Sequence, residues 1–177
     1  NTGTISVTGA ANVLSASGSG IAIGGANSGM ITNSESTISG DVHGILLAGG
    51  NAASVLNTGA TAVITTNTGD AIHVTGANAG AVNNESGARL ESRDGNGLRV
   101  TGANAGTIRN ATGATIEAGA AGIAVTGQNT ANILNTAAAS ITAGTDGIAV
   151  GSTASGSQIV NCEATINATA GSGIRVA

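Results

Sequence analysis

The chain has 177 residues and contains no Phe, Trp, Tyr, Pro or Lys. Each absence excludes something. Without aromatic rings there is no stacking platform for bases or sugars. Without Lys there is no Walker-type phosphate loop. Charge is scarce as well: charged residues make up 8% of the chain, against about 25% in an ordinary soluble domain. The net charge of −4 and a pI near 4.8 argue against nucleic acid, whose binding rests on basic groups. The single Cys162 cannot form an intrachain disulfide and reads as a small packing residue. No run of 18 apolar residues exists, so no membrane-spanning helix is expected. The chain starts at Asn1 with no charged-then-apolar leader, so any signal peptide is expected to be gone already.

What remains is 30 Gly, much Ala, Ser, Thr and Asn, and a scatter of Ile, Val and Leu. Such a composition invites a disordered reading. Disorder, however, goes with low hydrophobicity and high net charge, and the mean hydropathy here is positive at +0.27. The aliphatic residues are also evenly spaced. A core made only of Ile, Val, Leu and Ala suits a narrow interior.

The phrase VTGANAG occurs at residues 74–80 and again at 100–106, with looser copies elsewhere. It belongs to a longer repeat. A unit of small residue–Ile/Leu–x–Val/Ile/Leu begins at Gly20, Gly44, Ala71, Gly97, Gly122, Gly147 and Gly173. The period is about 25 residues, which is the range of solenoids. Asn27, Asn51, Asn78, Asn104 and Asn129 each stand seven residues after an anchor. Asn33, Asn57, Asn84, Asn110 and Asn135 follow six residues later, with Asn161 as the equivalent in the next repeat. A third apolar unit carries Ile38, Ile64, Leu90, Ile116, Ile141 and Ile166.

Each apolar segment alternates with period two, which is strand patterning. Three short strands per repeat, separated by Gly, Asn and Thr corners, predict an all-β right-handed parallel β-helix of six to seven coils. Each coil stacks at roughly 4.8 Å on the last. The chain reads as one unit over residues 1–177, with an irregular first coil at 1–19 and regular coils from 20 to 177. Both Asn columns read as structural corner residues, tolerant of positive φ and able to pass hydrogen bonds from coil to coil as amide ladders do.

At this point the sequence resembles the passenger domains of Gram-negative autotransporters and related large secreted adhesins. Their β-helices use repeats such as N-x-x-G-A-T-I-x-A-x-x-x-G-I-x-V-x-G. The match here reads NATGATIEAGAAGIAVTGQN at 110–129 and NTAAASITAGTDGIAVG at 135–151. The resemblance implies a bacterial surface or secreted location and an adhesive role. It implies cell-surface proteins or glycans as partners, or the same protein on a neighbouring cell. The open-ended first and last coils lead us to expect a segment of a longer protein, anchored to the outer membrane through a part not present in it.

Charge clusters around two neighbouring repeats. His73, Arg89, Glu91, Arg93, Asp94, Arg99, Arg109 and Glu117 form the candidate surface-contact patch. Glu91 and Glu117 hold equivalent positions on successive coils, so their backbones should lie roughly 5 Å apart. Stacked carboxylates of this kind suit a glycosidase pair, which makes a polysaccharide-acting enzyme the alternative function. The simpler reading is that Arg89 neutralises both on a solvated face, and no catalytic residue is assigned. Rows of outward Thr and Ser on the third strand raise ice binding as a further alternative, but Val63, Arg89, Glu91 and Glu117 break the array. Leu56, Leu134 and Val160 suggest a weak self-association strip. Asn84, Asn110 and Asn167 lie in glycosylation sequons, the first two on inward columns. His43 and His73 fall in different parts of the coil, and no His/Cys/Asp cluster has metal-ligand spacing. No metal and no cofactor is expected.

Overall fold

Period-two alternation makes each aliphatic stretch a strand with one buried edge, and the 25-residue period stacks equivalent strands. The computed structural model describes all residues from Asn1 to Ala177. It is all β, with no helix: a right-handed parallel β-helix of seven turns and 21 strands in three seven-stranded sheets. One coil illustrates the rest. Val82–Glu85 lies in the first sheet (A), Arg89–Ser92 in the second (B) and Leu98–Val100 in the third (C). Every pairing is parallel and joins residues one coil apart, as in Val82↔Ile108, Leu90↔Ile116 and Leu98↔Ile123. At roughly 4.8 Å per step, seven coils span about 30 Å.

The interior is a stack of aliphatic columns. Ile31, Val55, Val82, Ile108 and Ile133 face it from sheet A. Ile38, Ile64, Leu90, Ile116 and Ile141 face it from sheet B. Ile45, Ile72, Leu98, Ile123 and Ile148 face it from sheet C. All are essentially inaccessible to water. The lack of aromatics now has a geometric meaning: three short strands enclose room for only a few aliphatic side chains per coil, such as Val82, Leu90, Leu98 and Val100.

Of 115 backbone hydrogen bonds, 50 lie within the strands; most of the other 65 join consecutive coils at strand ends and corners. The corners therefore stack as regularly as the strands do. They are tight for reasons other than φ. In VTGANAG at 100–106, a Cβ on Gly102 would meet the Gly76 backbone one coil below, and a Cβ on Gly106 would meet the Gly80 carbonyl.

Residues 1–19, expected to be irregular, contain two strands in full register: Ile5–Thr8 pairs with Ile31–Ser34, and Asn12–Leu14 pairs with Thr37–Ser39. The corner between them is regular too: Gly9 takes positive φ at the position equivalent to Glu35 in the next coil.

A second expectation changes. No Asn has positive φ. One left-handed residue per coil stands two positions after the second Asn column: Glu35, Gly59, Ser86, Thr112, Ala137 and Glu163, with φ between 52° and 102°; Gly87, Gly113 and Ala138, one position on, are left-handed as well. The Asn residues of that column lie inside sheet A strands instead, for example Asn84 in Val82–Glu85.

Candidate functional site

Two side-chain amide ladders run the length of the helix. In the first, Asn27, Asn51, Asn78, Asn104 and Asn129 pass Nδ2–H···Oδ1 bonds upward at 2.7–2.8 Å. Asn1 adds a rung below, donating to Asn27 at 2.9 Å. Their backbones form matching single bridges. In the second, Asn33, Asn57, Asn84, Asn110, Asn135 and Asn161 do the same at 2.7–2.8 Å. Here each Nδ2 from Asn33 to Asn135 also donates to a sheet B carbonyl of the next coil: Val63, Arg89, Thr115, Ser140 and Thr165. The second contact fixes which amide atom points up, so the ladder is polar, with all donors aimed toward the C-terminal end. Except for Asn161, which is exposed, these ladder residues from Asn27 onward are buried.

A third ladder was not evident from the sequence. It uses the residue immediately before each anchor, at the corner between sheets B and C. The side chain there accepts from the backbone N–H of its counterpart one coil on. His43 Nδ1 takes Asp70 N–H at 3.0 Å, Asp70 Oδ1 takes Asn96 N–H at 2.9 Å, and Asn96 Oδ1 takes Ala121 N–H at 3.0 Å. Asp146 Oδ1 takes Ser172 N–H at 2.9 Å. The available signal was a polar residue at six of the seven positions preceding an anchor: Ser19, His43, Asp70, Asn96, Asp146 and Ser172, with Ala121 the exception.

The eight residues of the expected contact patch divide over three faces. Arg89, Glu91 and Glu117 share sheet B, where Glu91 and Glu117 are register partners. Arg89 Nη2 lies 2.6 Å from Glu91 Oε1 and 3.5 Å from Glu117 Oε1. Arg93 and Asp94 follow at the corner, exposed. His73 and Arg99 are partners on sheet C. Arg109 is on sheet A, bound to Glu85 Oε2 at 2.6 Å. No single surface holds all eight.

The sheet B group lines the largest depression, an open groove of about 660 Å³. Thr65, Thr142 and Gly144 complete its floor and rim. The hydroxyl rows lie where expected, with Arg89, Glu91 and Glu117 interrupting them. On sheet A, Leu134 and Val160 are neighbours, but Asn83 and Arg109 separate them from Leu56. Asn84 and Asn110 are buried ladder rungs, whereas Asn167 is exposed. Cys162 is exposed rather than packed, because it follows the inward Asn161 and so points out.

The separation expected of His43 and His73 is corrected. The corner ladder puts His43 against Asp70, and Asp70 sits three residues before His73. The two imidazoles meet edge-on with ring centroids 5.0 Å apart. One donor atom from each of His43, Asp70 and His73 lies within 4.8 Å of the other two. His43 and Asp70 are 27 residues apart, so only the coil period, and no local spacing rule, brings them together. Asp70 is buried and His73 nearly so. Burial holds the His73 imidazole below its ordinary pKa, with His43 and Arg99 adding to this and Asp70 opposing it.

No family model, no curated protein and no solved structure matches the chain.

Proposed function

We propose that this β-helix is a stiff, surface-exposed rod whose work is adhesive: it holds its faces away from a bacterial cell and makes contact with another cell or a host surface. The observation that supports this most is the combination of two continuous amide ladders and a third, interrupted corner ladder with faces that carry no deep cavity. A stack bonded through every corner resists bending. Open faces with scattered charge and hydroxyls suit many weak contacts with proteins or glycans, whose summed avidity replaces one tight pocket. The same segment on a neighbouring cell is a further partner of this kind. The repeat's resemblance to autotransporter passengers points the same way. The test is labelling of intact cells of the native source with an antibody to the rod, followed by attachment assays with antibody Fab present. Surface labelling and blocked attachment are expected. A protein found only inside the cell would overturn the reading.

One observation favours a second reading, a polysaccharide-acting enzyme: Glu91 and Glu117 line the largest groove as register partners. The geometry around them favours the rod. Arg89 contacts both carboxylates at 2.6 and 3.5 Å, the arrangement of a solvated surface ion-pair cluster. Hydrolysis of any acidic glycan, lost in Glu91→Gln, would reverse this order.

A further inference from the structure

We infer that His43, Asp70 and His73 form a site for a borderline divalent cation of the Zn²⁺ class, clipping two consecutive coils at the corner of sheets B and C. The inference stands independently of the adhesive reading.

The donor set comes first. Two imidazoles and one carboxylate, each able to offer an atom within 4.8 Å of the others, suit Zn²⁺ and its first-row neighbours and do not suit Ca²⁺ or Mg²⁺, which prefer all-oxygen shells. His73 Nδ1 and Asp70 Oδ2 are 3.3 Å apart. That is about the edge of a tetrahedron with 2.0–2.1 Å metal bonds. His43 brings a ring nitrogen within 4.8 Å of both.

The second observation is an orphan. His73 Nδ1 is buried and has no hydrogen-bond partner. It is near enough to Asp70 Oδ2 for attraction, but is not aligned for a hydrogen bond. A buried polar atom left unpaired is costly and calls for an explanation, and a metal that accepts its lone pair supplies one.

The third observation is what holds the other atoms. Metal ligands are commonly oriented by hydrogen bonds to their distal atoms. His73 Nε2 contacts Thr101 Oγ1 at 3.1 Å; in the tautomer in which Nε2–H donates to that hydroxyl, Nδ1 carries the lone pair a metal needs. Asp70 Oδ1 is held by Asn96 twice, from N at 2.9 Å and from Nδ2 at 2.6 Å, which leaves Oδ2 free. His43 Nδ1 faces the Asp70 backbone, 3.0 Å from N and 3.3 Å from O, and no hydrogen bond engages Nε2. Binding through Nε2 requires a proton on Nδ1, directed to the Asp70 carbonyl. The site therefore gives up the Asp70 N–H bond when it fills, and the orienting contact passes from that N–H to the carbonyl.

One neighbour opposes a cation. Arg99 is the register partner of His73 on the next coil and has no acidic partner within ion-pair distance. Its charge weakens cation binding, and this gives the test a direction that a purely structural cluster lacks.

The experiment is calorimetric Zn²⁺ titration of the full chain carrying Cys162→Ser, which removes the one exposed thiol. Circular dichroism checks that each variant keeps its strand signal. The expected result is one saturable site. His73→Gln and Asp70→Asn should each weaken it by at least the roughly 10–100-fold that loss of an orienting partner alone produces. Arg99→Gln should tighten it several-fold. Co²⁺ in place of Zn²⁺ should give visible absorption bands that disappear in His73→Gln, and Zn²⁺ should raise Tm in proportion to occupancy. Absence of a saturable site, or a site that folded His73→Gln and Arg99→Gln leave unchanged, would overturn the inference.

Discussion

Asn84 Nδ2 donates to Asn110 Oδ1 at 2.8 Å and, from the same nitrogen, to the Thr115 carbonyl at 2.9 Å. One buried amide thus joins two sheets and two coils. Removing it strands partners on both sides: Asn57 loses its Oδ1 acceptor, and Asn110 Oδ1 and the Thr115 carbonyl each lose a donor. Asn84→Ala should therefore destabilise the rod by about 2–4 kcal/mol. The ladder's end at Asn161 is exposed, and Asn161→Ala should lose under about 1 kcal/mol. Asn84→Asp should be worse than Asn84→Ala, since a carboxylate accepts from Asn57 but has nothing to donate upward, and buries a charge. Urea unfolding of the three variants checks the ranking; equal losses at Asn84 and Asn161 would show that the ladder is not cooperative.

Much of this architecture was legible because two demands repeat in register. The Ile columns and both Asn columns appear at fixed offsets from the anchors, and a solenoid must satisfy the same corner in every coil. What escaped notice was any position whose demand is met by varied residues. The left-handed corner is filled by Glu35, Gly59, Ser86, Thr112, Ala137 and Glu163, and only one of these is the Gly that such a backbone advertises. The corner ladder accepts imidazole, carboxylate or amide, so His43, Asp70, Asn96 and Asp146 look unrelated in sequence. The first rung, Asn1, precedes any anchor. The charged residues were legible as outward, but not as divided among faces, because sequence proximity within a coil says little about which of three sheets a side chain leaves from.

Thr112 gives the left-handed column a direct test. Its φ is 55° and it is exposed, so its side chain makes little contribution to set against the backbone strain. A β-branched residue in this region is disfavoured by about 1–2 kcal/mol, part of which glycine's greater unfolded-state freedom takes back. Thr112→Gly should raise stability by about 0.5–1 kcal/mol. Gly59, the equivalent residue two coils earlier, shows that glycine fits. A fall in urea midpoint would mean that the hydroxyl or methyl makes a contact worth more than the strain.

Gly102 tests the stacked corner. A Cβ there would meet the backbone carbon and oxygen of Gly76 at 2.6 and 2.7 Å, and the amide nitrogen of Ala77 at 2.7 Å. All three are backbone atoms held by their own coil, with no flexible side chain to yield. Gly102→Ala should destabilise the rod by about 1–3 kcal/mol. Gly24→Ala, where nothing lies within 4 Å and φ is not left-handed, is the control and should change stability by less than about 0.5 kcal/mol. Thermal melts of the pair separate steric fit from glycine's entropy, because the entropic gain on replacing glycine is shared by both.

Acid should loosen the last coil before the rest. Asp146 Oδ1 accepts the Ser172 N–H at 2.9 Å and its Oδ2 takes Arg175 Nε at 2.7 Å. These bonds favour the carboxylate and hold its pKa below the ordinary 3.8, the Ser172 amide contributing most and the Arg175 side chain next. A carboxyl whose folded pKa is depressed stabilises the fold above its unfolded pKa and loses that contribution as pH falls through the folded value. The strand Ile174–Val176 pairs only with Ile148–Val150, so it has one neighbour where interior strands have two. Below about pH 3.8 the amides of 172–176 should exchange with solvent faster than those of Leu98–Val100, in the middle of the same sheet. In Asp146→Ala they should exchange fast at neutral pH and show little further acceleration in acid. If the wild-type end coil stays protected to pH 2 while Asp146→Ala is open throughout, the side chain's hydrogen-bonding capacity matters and its charge does not. If the two proteins behave alike at every pH, the Asp146 bonds do not hold the coil, and the sheet C pairing alone does.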